Sequence, residues 1–165
     1  MSLFGGFRKG SGDASSWLDR GLAFAEQGKW KESLGCYDKA IGIDPGNALT
    51  WYNRGSTLDA LGRYEESLVC YDRAIGIDPG DAAAWNGKGL ALGMLGMHDD
   101  ALRCFDRAIG IDPGNAAVWN SKGVALVALG RYSEALRCAD EAIRIDPGLS
   151  RARELREWIL KRMGW

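Results

Sequence analysis

Histidine occurs once in this sequence, as His98, and the formal net charge is only −1 at pH 7. A lone imidazole with no second ligand or nucleophile beside it makes no catalytic set, so no enzyme is expected. Nor is there a Ser-centred elbow, a phosphate-binding glycine loop or a metal motif in the sequence, and no cofactor is expected. A chain so close to neutral carries no global field toward nucleic acid or anionic lipid. No apolar run approaches the ~18 residues that a membrane span needs, and no charged start is followed by an apolar leader. These absences predict a soluble, cytoplasmic protein without nucleic-acid or membrane partners.

Proline and cysteine are scarce, at four each, and their placement says more than their number. Pro45, Pro79, Pro113 and Pro147 advance in steps of 34 residues, as do Cys36, Cys70, Cys104 and Cys138. Trp17, Trp51, Trp85 and Trp119 keep the same step, and so do Gly21, Gly55, Gly89 and Gly123. A fixed period in this range marks a stacked repeat array. Equivalent positions in stacked helices lie at least one interaxial distance apart, ~8–10 Å. A disulfide requires Cα atoms within ~7 Å, and four thiolates in a spaced row cannot converge on one metal. The cysteines are therefore expected to be thiols packed as small apolar side chains.

Each unit divides into two helices. In the second unit, Trp51, Gly55, Leu58 and Leu61 have the spacing of one helix face. Gly62 follows as a left-handed stop, matched by Gly28, Gly96 and Gly130. A second helix runs from about Tyr64 to Ile77, with Leu68, Tyr71, Ala74, Ile75 and Ile77 on its apolar stripe, and Pro79 prevents continuation. Asp13, Asn47, Asp81 and Asn115 stand where the next helix needs an N-cap, while after the fourth unit Ser150 is expected to take that role. The organisation predicted is a flexible tail with the first N-cap over 1–13, four units at 14–47, 48–81, 82–115 and 116–149, and a ninth helix within 150–165. The tail holds three apolar residues, Leu3, Phe4 and Phe7. Because one helical hairpin cannot bury enough apolar surface to offset its own ordering, neighbouring units must stack.

On these residues the sequence resembles the tetratricopeptide repeat (TPR) family. The family pattern of Trp, Gly, an aromatic or Leu, Ala, an aromatic, Ala and Pro is met by Trp85, Gly89, Leu92, Ala101, Phe105, Ala108 and Pro113. In the second unit it is met by Trp51, Gly55, Leu58, Ser67, Tyr71, Ala74 and Pro79. The departures are Ser33 and Ser67 for Ala, Ala139 for an aromatic, and Arg20, Arg54, Lys88 and Lys122 for a usual Leu. The resemblance implies an all-α fold, a right-handed α-solenoid of antiparallel helix pairs whose first helices line a concave groove. It implies a non-catalytic protein-interaction scaffold that holds a peptide or a partner's helix. The last helix resembles the family's capping helix, with Leu155, Trp158, Ile159 and Met163 apolar and its charged residues facing water. A basic docking surface for an anionic partner is the other reading of those charges.

The groove-facing stripe lies one residue on from the packing stripe and is rotated by ~100°. It comprises Leu18 and Leu22, then Leu49, Tyr52, Ser56 and Asp59, then Asn86 and Leu90, then Asn120, Val124 and Val127. Large apolar residues in a concavity favour an apolar or amphipathic segment of a protein partner. Asn53, Asn86 and Asn120 offer donors and acceptors to its backbone. The two-carboxylate clamp of chaperone-tail-binding family members finds only Asn53 in the first register, nothing in the second and Arg151 as the single cation in the third. That clamp is not expected here. Self-assembly, through the apolar tail or through the end around Trp158 and Trp165, is the second reading of the partner surface, and an accessory domain of a larger complex is the third.

Overall fold

Side-chain caps set the spacing of the helices. Asp13, Asn47, Asp81 and Asn115 hold extended backbone and accept from the amides of Ser16, Thr50, Ala84 and Val118 at 2.8, 3.0, 3.3 and 3.4 Å. Each satisfies an N–H that a helix start otherwise leaves without a partner. The computed structural model describes residues 12–165, so the tail with Leu3, Phe4 and Phe7 lies outside the described residues. Four helices follow these caps: α1 (Ala14–Glu26), α3 (Ala48–Ala60), α5 (Ala82–Met94) and α7 (Ala116–Ala128). Each pairs with the next helix in the chain: α2 (Trp30–Ile43), α4 (Tyr64–Ile77), α6 (His98–Ile111) and α8 (Tyr132–Ile145). A ninth, α9 (Ser150–Met163), completes the described residues, among which there is no strand and no helix long and apolar enough to cross a membrane.

Gly28, Gly62, Gly96 and Gly130 end the first helices at φ between 70° and 77°, a conformation that only glycine adopts freely. Gly164 ends α9 in the same way at φ 84°, in step with the other four. That step corrects one expectation. Ser150 does not cap α9; it is the first helical residue, and Leu149 stands at the cap position with no side-chain bond. Packing of α9 against α7 and α8 imposes the register of the first helices, and this outweighs the local preference of serine for a cap.

The core repeats a ring over a glycine. A Cβ at Gly21, Gly55 or Gly89 would lie 2.4, 3.0 or 2.6 Å from a ring carbon of Tyr37, Tyr71 or Phe105, all of them buried. The fourth unit has Ala139 at that place, and there Leu155 of α9 reaches across instead, its Cδ2 2.9 Å from a Cβ placed on Gly123. The missing aromatic of the fourth unit is thus replaced by a side chain from the following helix. Ser33 and Ser67 stay fully buried because their hydroxyls donate to the carbonyls of Gly21 and Tyr64 at 2.9 and 2.8 Å. Ile77, expected on the core stripe, is 41% exposed as the last residue of α4.

Two ladders tie one unit to the next. The indoles of Trp51, Trp85 and Trp119 donate to the carbonyls of Pro45, Pro79 and Pro113 at 2.9, 3.0 and 3.0 Å. Arg54, Lys88, Lys122 and Arg156 pair with Asp38, Asp72, Asp106 and Asp140 of the preceding second helix at 2.6–2.8 Å. Arg54, Lys88 and Lys122, which replace a usual Leu, are thus in inter-unit ion pairs, and Arg20 of the first unit lies over the Trp17 ring at 4.4 Å. The four cysteines are buried free thiols, and burial raises the thiol pKa at Cys70, Cys104 and Cys138.

Candidate functional site

The curvature follows from which helices touch. Successive first helices (α1, α3, α5, α7 and then α9) contact one another directly, whereas α2, α4, α6 and α8 make no such contact among themselves. The array therefore bends with its first helices inside, and their free faces form the groove.

The predicted site residues are distributed unevenly along it. Leu49, Ser56, Leu90 and Val124 are exposed, and Leu22, Tyr52, Asn53, Asp59, Asn86, Asn120 and Val127 are half-buried. Leu18 departs from the expectation: at 7% exposure it is part of the core, where an apolar side chain at the stripe's edge avoids water. Asn53 also stands apart. Its side-chain amide donates to the Leu49 carbonyl at 2.8 Å, and it lies one residue off the line of Tyr52, Asn86 and Asn120.

Among the described residues four buried side-chain atoms lack a hydrogen-bond partner: Asp59 Oδ1, Asn86 Oδ1, Asn120 Oδ1 and His98 Nδ1. Asp59, Asn86 and Asn120 belong to the groove stripe, and His98 borders it. Buried polar atoms are normally satisfied, so these four set the groove face apart from the rest of the described residues. Asp59 uses its other oxygen to accept from the Tyr71 hydroxyl at 2.6 Å, and the Tyr52 ring lies 6.0 Å from that of Tyr71, tilted by 53°. Burial raises the Asp59 carboxyl pKa, an effect that the nearby hydroxyls of Ser67 and Tyr71 only partly offset. Burial likewise raises Tyr71, reinforced by Asp59, and raises Tyr52 with help from the carboxylates of Asp81 and Asp59.

Farther along, a cavity of about 370 Å³ opens between α5 and α7. Leu90, Asn120 and Val124 line it, which brings three of the predicted residues together. Arg151, the single cation of the third clamp register, lines it too, and so do Met94 and His98, which the sequence reading did not assign to this surface. Continuing the 34-residue step along α9 also puts Trp158 below Val124. Met94 has no such signal, because it lies outside the stripe.

The tetratricopeptide repeat profile matches residues 48–81, 82–115 and 116–149, and a second TPR profile matches residues 21–62. No curated protein matches the sequence. Among solved structures, MamA protein is 22% identical, with a TM-score of 0.83 over 92% of this chain and 82% of its own. YrrB, a TPR protein with an unusual peptide-binding site, is 26% identical, with a TM-score of 0.79 over 87% of this chain and 74% of its own. The first TPR of Spaghetti (RPAP3), bound to the HSP90 peptide SRMEEVD, is 24% identical, with a TM-score of 0.71 over 76% of this chain and 99% of its own. Four successive units of paired helices, with three of them matched end to end by the profile, place the chain in the tetratricopeptide repeat family.

Proposed function

We propose that this protein is a non-catalytic scaffold that binds an apolar or amphipathic segment of another protein along the groove of its first helices. The carrying observation is the set of partnerless buried atoms at Asp59, Asn86, Asn120 and His98, set among exposed Leu49, Leu90 and Val124. An extended segment supplies backbone N–H groups to the first set and apolar side chains to the second. Asn86 and Asn120 stand at one repeat position in adjacent units, so they meet backbone groups spaced along such a segment. The peptide-binding neighbours YrrB and RPAP3 support a reading of this kind, although the sequence supplies only Asn53 and Arg151 toward a carboxylate clamp.

Selection from a phage-displayed peptide library tests the reading. Peptides enriched on the wild-type protein share apolar residues, and the Leu90→Asp/Val124→Asp variant loses them while keeping its helical circular dichroism. Enrichment that is the same on both proteins sinks the groove as the binding surface.

Self-assembly is a second reading, favoured by the exposure of Trp165, at 86%, beside half-exposed Trp158 at the same end. Sedimentation velocity on the full chain and on a chain starting at Asp13, each with and without Trp165→Ser, separates the two ends. A monomer in all four cases removes this reading.

A further inference from the structure

In an array built from one repeated unit, residues that break the pattern at a shared location mark a local task that the fold does not impose. One such break, His98, meets two residues at positions that vary from unit to unit, Gly93 and Arg151, in the cavity between α5 and α7. Gly93 stands where the other units carry Ala25, Asp59 and Val127, so the floor has no side chain. His98 stands where the others carry Trp30, Tyr64 and Tyr132, so the wall is recessed. The consequence of a larger ring is visible one unit on, where Tyr132 packs against Trp158 with ring centroids 6.1 Å apart. Arg151 stands where the other first helices carry Ser15, Leu49, Ala83 and Ala117, and it places a cation at the rim.

We propose that this cavity is the specificity site of the groove, and that it takes a large apolar side chain whose neighbouring residue is Glu or Asp. The inference rests on the groove being the partner site. Leu90, Met94 and Val124, 45%, 65% and 52% exposed, supply an apolar lining that water solvates poorly and a large side chain covers. Asn120 Oδ1, buried and without a partner, accepts a backbone N–H of the bound segment and fixes its depth. Arg151 is exposed, makes no ion pair among the described residues, and is the one Arg, Lys, Asp or Glu that lines the cavity. Its planar fork matches a carboxylate with two parallel hydrogen bonds. Glu154, three residues on in α9, makes no ion pair with it and so leaves that fork available. The carboxylate is assigned to a side chain rather than to a chain terminus, because α9 carries the groove onward through Trp158 and Lys161 and the segment need not end at Arg151.

The test uses the full chain, labelled with ¹⁵N, and three amidated ten-residue Gly/Ser peptides carrying a central Leu-Glu-Glu, Leu-Lys-Lys or Ala-Glu-Glu. Leu-Glu-Glu is expected to shift the signals of Leu90, Val124 and the Asn120 side-chain amide, and to bind about tenfold more tightly than either other peptide. Arg151→Glu, on an exposed position that leaves the fold intact, reverses the order of Leu-Glu-Glu and Leu-Lys-Lys. Equal binding of those two peptides, lost together in Leu90→Asp, overturns the acidic preference and leaves the groove reading standing. A free-acid peptide ending in Leu that binds better than Leu-Glu-Glu overturns the choice of a side-chain carboxylate. Unmoved groove signals with all the peptides count against both the inference and the reading beneath it.

Discussion

The hydroxyl of Tyr71 donates to Asp59 across 2.6 Å, and no other unit repeats the pair. Ala25, Gly93 and Val127 occupy the position of Asp59 elsewhere, and Tyr37, Phe105 and Ala139 that of Tyr71. The pair places an acid with one unpartnered oxygen on an otherwise apolar groove, and fixes the ring that α3 and α5 share.

That acid is held against its preference. Burial raises the Asp59 carboxyl above its ordinary pKa, so between the two values the folded chain binds more proton than the unfolded one. Its contribution to stability is therefore full at low pH and is lost as pH rises through the raised value. Asp59→Asn removes the charge but keeps an oxygen that accepts from Tyr71. The variant should be at least as stable as wild type at pH 7, with its advantage shrinking as pH falls through the carboxylate range. Urea denaturation at a series of pH values checks this, and a large loss of stability at pH 7 would show that charge on the Tyr71 bond outweighs desolvation.

Tyr71 is also clamped from both sides. A Cβ on Gly87 would lie 2.6 Å from its Cε1, and one on Gly55 3.0 Å, while the Asp59 bond prevents the ring from swinging clear. Gly87→Ala should therefore cost about 1–3 kcal/mol. Gly35, on the exposed face of α2 with nothing within 4 Å of a Cβ, provides the contrast. Gly35→Ala should stabilise by about 0.5–1 kcal/mol through helix propensity alone. If both alanines act in the same direction, close packing is not what keeps Gly87.

The period, the helix pairs, and the first four caps and glycine stops were legible because each rests on local chemistry repeated in register. The groove stripe was legible as a direction, since a one-residue offset on a helix fixes a rotation. What escaped was chemistry arising between units. Nothing local to Lys88 says that its ammonium meets Asp72, sixteen residues back on another helix. Nor does the sequence of α9 alone show that it docks in register, with Ser150 helical and Leu155 filling the space above Ala139. Leu18 shares the repeat position of Tyr52, Asn86 and Asn120 yet is buried where they are half-buried, a difference that helical periodicity does not specify.

The ion-pair ladder is expected to guide register more than it stabilises. Lys88 and Asp72 lie 2.6 Å apart with the acid more than half exposed, so water screens their attraction. A double-mutant cycle with Lys88→Met and Asp72→Ala should give a coupling below about 1 kcal/mol that fades in 1 M salt. Coupling well above that, and indifferent to salt, would mean that the pair is effectively buried.

The relation between Ala139 and Leu155 gives the sharpest test of how α9 joins the array. If Leu155 stands in for the aromatic ring that the fourth unit lacks, then each single change creates a defect that the other repairs. Leu155→Ala opens a gap over Gly123 and should cost about 2 kcal/mol. Ala139→Phe restores the ring of the other units but drives it into Leu155, and should cost about 1–3 kcal/mol. In the double variant the new ring occupies the space that the leucine vacates. Its loss of stability should fall short of the sum by at least about 1 kcal/mol, as for residues that share one space. Strict additivity would place Leu155 outside that space and leave the fourth unit's missing ring without a substitute.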